Sequence, residues 1–154
     1  MSLDDLDENG YTVLRGSLDA AVAEEVRARL SGEMKAALAL PDHGASSGIT
    51  FATIHDRVRR DDMCLLMTDA NRALVHTIVS RYSDVFLELL GPSAKLVDFG
   101  VIASYTGAKR QTIHADVTYD PDARRVYTAF VALQDITKDM GPTNIWPGTQ
   151  SAYW

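Results

Sequence analysis

Cysteine occurs once, at Cys64, so no internal disulfide can form. Its apolar neighbours Met63, Leu65 and Leu66 predict a small buried hydrophobe rather than a nucleophile. Long apolar runs are missing too, since none approaches the roughly 20 residues that cross a bilayer. No charged segment followed by an apolar run opens the chain, so no secretion signal is expected. Phosphate-binding glycine loops are absent, because Gly141-Pro142 and Pro147-Gly148 lack the required pattern and open no predicted helix. There is no internal repeat and no low-complexity tract. Positive charge is in short supply: a net charge of −6 argues against electrostatic attraction to nucleic acid or to an anionic membrane. The one basic cluster, Arg57, Arg59 and Arg60, runs directly into Asp61 and Asp62 and reads as a solvated, self-compensated loop. These absences leave a soluble protein of a reducing, cytoplasmic compartment as the expectation.

What is present suffices for one domain. The chain has 154 residues with 46% hydrophobic content, enough to form a core rather than a disordered segment. Ser2 to Asn9 is acidic and aperiodic, a loose arm or a capped start. Tyr11 to Leu14 reads as a short strand. From Leu18 onward Val22, Val26, Leu30, Met34 and Leu38 recur every fourth position, which predicts an amphipathic helix that Pro41 ends. Asp42 to Gly48 is a loop, and Ile49 to Ile54 a possible short strand. A second helix is predicted from about Ala70 to Leu90, with Leu74, Val75, Ile78, Val79, Tyr82, Phe86 and Leu89 on one face and Gly91-Pro92 as its stop.

After Pro92 the pattern becomes strand-like. Lys95 to Tyr105, Arg110 to Ile113, Arg125 to Leu133 and Thr143 to Trp146 read as strands, and Asp120-Pro121-Asp122 as a turn. Arg125 to Leu133 is the richest in β-branched and aromatic residues. Helices first and strands after predict an α+β fold, or helices packed on a β-sandwich or barrel.

The chemistry gathers at Gln111-Thr112-Ile113-His114-Ala115-Asp116, which holds the only His-x-Asp pair. On a strand, side chains alternate faces, so His114 and Asp116 would point to one side. One imidazole nitrogen and one carboxylate oxygen suit a divalent first-row metal, and a second histidine would complete a 2-His-1-carboxylate site. Taken alone, the triplet reads more readily as a strand-end histidine and a turn aspartate. His43, His55 and His76 have no acidic or histidine partner at a converging spacing and read as ordinary histidines.

Three stretches in order carry a more specific signal: Ser104 to Asp116, Tyr127 to Thr137, and Asn144-Ile145-Trp146-Pro147-Gly148-Thr149-Gln150. Together with Gly10 to Gly16 and the helix after it, they resemble the phytanoyl-CoA dioxygenase family over most of the chain. The resemblance implies a double-stranded β-helix, or cupin-like jelly roll, binding iron(II) and 2-oxoglutarate. It implies one domain over 1–154, with a helical part over 1–92 packed on a partial jelly roll over 93–154. His114 and Asp116 would be iron ligands, and the retained carboxylate favours hydroxylation of a small organic substrate over halogenation. Tyr127 would lie against 2-oxoglutarate, with Gln111 and Val101 as walls near it.

The resemblance also places the family's second histidine, and the arginine that binds the far carboxylate of 2-oxoglutarate, beyond Trp154. Gln150 stands where the third motif usually has histidine. The expectation is therefore a fragment with two of three ligands, completed by a further segment or by a second chain. A non-catalytic jelly-roll module that has lost its metal centre, and a cupin-type enzyme that does without 2-oxoglutarate, stay open beside it.

Overall fold

The computed structural model describes residues 4–52, 58–117 and 126–150. Among these residues four helices, α1 (Asp4–Asn9), α2 (Ala20–Ala39), α3 (Asp69–Arg81) and α4 (Ser83–Leu90), accompany three strands, β1 (Thr50–Phe51), β2 (Arg60–Cys64) and β3 (Gly100–Ser104). Short 3-10 turns occupy Ala45–Ser47 and Lys138–Met140. The strands form one antiparallel sheet in the order β1-β2-β3. The mixed α+β class is thus seen. Among the described residues the sheet is open at both edges, and a closed jelly roll is not formed.

Helix α2 follows from its apolar stripe, which buries Val26, Leu30, Met34 and Ala37. It ends at Leu40, whose extended backbone (φ −76°, ψ 146°) is what a following proline enforces. On its outer side Arg27 pairs with Glu24 and Arg29 with Glu33. The register puts Phe51, Met63 and Val101 in one cross-strand row. Met63 packs with Met34 and Ala37, and Phe51, Val101 and Ala103 close around them, so α2 lies on this face of the sheet. Strand alternation then sends Arg60, Asp62, Ser104 and Ile102 to the other face.

The charged stretch from Arg60 is a correction to the solvated loop expected there, for Arg60–Cys64 is the central strand. Its alternation hides behind charges because Arg60 is itself buried, its guanidinium hydrogen-bonded on the second face. Arg57 and His55 lie outside the described residues, as does the Asp120 to Asp122 turn. Tyr11 to Leu14 is not a strand: no described segment pairs with it, and the Leu14 carbonyl accepts from the Ser17 hydroxyl instead. The long second helix is two, broken at Tyr82 (φ −126°, ψ 28°). Val126 to Leu133 and Thr143 to Trp146 belong to no strand, since no described segment pairs with them.

The third motif packs back on the start of the chain. Gln150 Nε2 donates to the Asp7 carbonyl at 2.8 Å, and Gly148 N donates to the Asn9 carbonyl at 3.0 Å, so this turn satisfies carbonyls at the end of α1. Gly10 (φ +76°) is required here, because a Cβ on it would stand 2.6 Å from Gln150 Oε1.

Candidate functional site

The connection that leaves β3 carries the His-x-Asp pair, and it is held at several points. Arg59 Nη1 donates to the Thr106 carbonyl at 2.7 Å, and the Arg59 carbonyl accepts from Tyr105 N at 2.9 Å. Ala108 N donates to the Tyr105 carbonyl, and Arg60 Nη2 to the Lys109 carbonyl at 3.2 Å. Beyond Lys109 the chain runs through Gln111 to Asp116 outside any strand. The alternation argument for a shared face therefore does not apply to His114 and Asp116, which are both exposed.

His114 Nδ1 stands 2.7 Å from the Thr112 carbonyl. A carbonyl oxygen only accepts, so Nδ1 carries a proton in this contact. A backbone carbonyl holding the ring in this way is what metal-binding histidines commonly have. The donors thus fit a divalent metal in kind. They fall short in number: among the described residues no group of three His, Cys, Asp or Glu side chains could hold a metal.

Gln111 is half-buried ahead of the pair, and Tyr127 is half-buried after the gap in the described chain. Val101 packs with the core cluster beneath α2, on the face away from Arg60. Of the other histidines, His76 is exposed on α3 beside Ser80, and His43 meets Phe51 edge-on with centroids 6.3 Å apart. His43 also lines a cleft of about 590 Å³ with Leu38, Ile49, Phe51 and Asp61. Neither His114 nor Asp116 reaches that cleft. Cys64 is half-buried in β2, without full burial. Sequence reasoning missed Arg59 and Arg60; the signal available was the apolar Met63 to Leu66 that follows them, which continues a strand rather than a loop.

On the second face Asp62 meets an environment unfavourable to its negative charge. Burial raises the Asp62 carboxyl above the usual range, and the neighbouring Asp98 charge adds to it. A raised folded-state pKa means that the stability this group contributes is present at low pH and lost as pH rises through that value. Asp62→Asn, neutral throughout, is therefore expected to gain stability relative to wild type between about pH 3 and pH 7. Melting curves of both proteins across this range check it; parallel pH profiles would contradict it.

The class so defined is an α+β protein with a small antiparallel sheet that presents a His-x-Asp pair on the connection leaving its edge strand. The family model described as Phytanoyl-CoA dioxygenase (PhyH) matches residues 6–153. The chain belongs to the phytanoyl-CoA dioxygenase family, whose members are generally oxygenases that use iron(II) and 2-oxoglutarate. No curated protein and no solved structure matches it. No helix among the described residues is long and apolar enough to cross a membrane.

Proposed function

We propose that this chain carries the metal-binding part of an iron(II)- and 2-oxoglutarate-dependent oxygenase that hydroxylates a small organic molecule. The observation that carries the reading is the His114 imidazole, its Nδ1 proton committed to the Thr112 carbonyl, two residues from the Asp116 carboxylate in a chain of this family. When bound, iron(II) with 2-oxoglutarate supplies oxidation by dioxygen: one oxygen atom enters succinate as carbon dioxide leaves, and the other enters the substrate.

The protein groups have simpler tasks. His114 supplies an imidazole nitrogen, its ring held through the Thr112 carbonyl. The Asp116 carboxylate offsets part of the cation's charge and keeps the site on the hydroxylating side. Tyr127 and Gln111 orient 2-oxoglutarate, and Val101 backs that wall from the core. Water must be excluded from a pair that stands exposed, and Val97, Ile113, Phe130 and Trp146 are exposed apolar side chains in the same half of the chain. A third ligand and a carboxylate-binding arginine come, on this reading, from outside the described residues or from a second chain. The parts 1–92 and 93–154 would then be a helical layer and a portion of a jelly roll in one domain.

The second reading is a non-catalytic jelly-roll module, favoured by the lack of a third metal-binding side chain among the described residues. Turnover separates the two. Protein supplied with the segment or second chain that brings the third ligand and the arginine, and given iron(II) and 2-oxoglutarate in air, is expected to form succinate in step with 2-oxoglutarate loss, and Asp116→Ala to reduce this at least about 100-fold. Succinate at the level of a protein-free control would favour the module.

A further inference from the structure

We propose that Arg60 is a positioning residue for the His114–Asp116 pair, acting through the backbone of the connection that leads to it; this role rests on the metal-binding reading above. Arg60 is only 6% exposed, at the start of the central strand, on the face of the sheet away from α2. Opposite it in register is Ser104, the last residue of β3. Its Nε donates to Ser104 Oγ at 3.1 Å while its Nη2 donates to the Lys109 carbonyl at 3.2 Å. One rigid fork thus spans the strand end and the loop beyond. Gly141 closes over the same group: a Cβ there would stand 3.6 Å from Arg60 Nη2 and 3.7 Å from the Ala108 carbonyl. The guanidinium therefore lies where β2, the loop before His114 and the turn before the third motif come together.

Arg59 reinforces it from the side through its bonds to Thr106 and Tyr105. Between them the two arginines fix Ser104 to Lys109, and Gln111, His114 and Asp116 follow on that fixed base. Lysine cannot replace the fork. Its single ammonium on a flexible stem keeps the charge but does not span both acceptors in this geometry. Burying a charge is costly unless its hydrogen bonds are made, so the arrangement fixes the loop and the side chain together.

Hydrogen exchange and metal titration of the whole chain test this together. In Arg60→Lys, amides of residues 105–117 are expected to exchange on the order of tenfold faster, with a smaller change of the same sign in Ser104→Ala, which removes one acceptor. Met34→Ala, which weakens the core under α2 instead, should not single out this segment. Cobalt(II), as the probe metal, should bind Arg60→Lys about tenfold more weakly than wild type, as for loss of an outer partner. Unchanged exchange over 105–117 in Arg60→Lys and Ser104→Ala overturns the clamp, whatever the metal does. Faster exchange with unchanged cobalt affinity overturns the positioning role and leaves the metal reading intact. If wild-type cobalt binding survives His114→Ala, the metal reading fails and the positioning role with it, while the exchange data still report on the clamp.

Discussion

Asn71→Leu is expected to lower the unfolding free energy by about 2–4 kcal/mol. Asn71 is 1% exposed and sits in the first turn of α3. Its Nδ2 donates to the Leu66 carbonyl at 2.8 Å, and its Oδ1 accepts from Arg29 Nη2 of α2 at 2.9 Å. Leucine has the same branched skeleton, with bulkier methyl groups and neither polar atom. It would leave a carbonyl and a guanidinium facing an apolar group, and the desolvation penalty of each is the main cost. The backbone cap, in which Asn71 N donates to the Thr68 hydroxyl, would survive. Arg29→Met should cost less on its own, because Arg29 is half-exposed and shared with Glu33. In the double variant the guanidinium is already gone, so the two losses should add to less than their sum. Urea unfolding of the three variants measures this. A loss below about 0.5 kcal/mol for Asn71→Leu would show that the buried amide does not join α3 to α2.

What could be read from the sequence was local. The α2 stripe was visible because one face of a helix repeats in register, and Val26, Leu30 and Met34 are buried as their spacing requires. Its ends deviate: Val22 stays exposed, and Ala37 takes the buried place that a strict four-residue step gives to Leu38. The break at Tyr82 left no mark in the apolar pattern, since helical periodicity continues through it from α3 into α4. The strand at Arg60–Cys64 was obscured for a different reason. Arg60 is buried by bonds to Ser104 and Lys109, whose partners lie 44 and 49 residues away, and composition carries no trace of such pairing. Val126 to Leu133 shows the converse, high strand propensity with no ladder partner described, because propensity reports a fit to a sheet and not the presence of one.

The candidate site divides along the same line. Spacing and the order of the motifs around them singled out His114 and Asp116 as candidates, but their exposure and their position outside a strand could not be read there. Gln150 is an anchor for the backbone of α1 through the Asp7 carbonyl.

The second large effect is on metal affinity. On the proposed reading His114 and Asp116 hold the ion together, so removing either leaves a single exposed side chain with little hold on a divalent ion. His114→Ala and Asp116→Ala are each expected to weaken binding about 100-fold or more, above the 10–100-fold typical of outer partners. Thr112 should tolerate replacement, since its backbone carbonyl rather than its side chain meets His114 Nδ1. His76→Ala is the fitting control, a histidine exposed on α3 whose ring lies beside Ser80. The direct measurement is an anaerobic iron(II) titration of wild type, His114→Ala, Asp116→Ala and His76→Ala. Saturable binding in wild type and His76→Ala that disappears in the other two is the predicted result, whereas binding that persists in His114→Ala and Asp116→Ala would contradict the account.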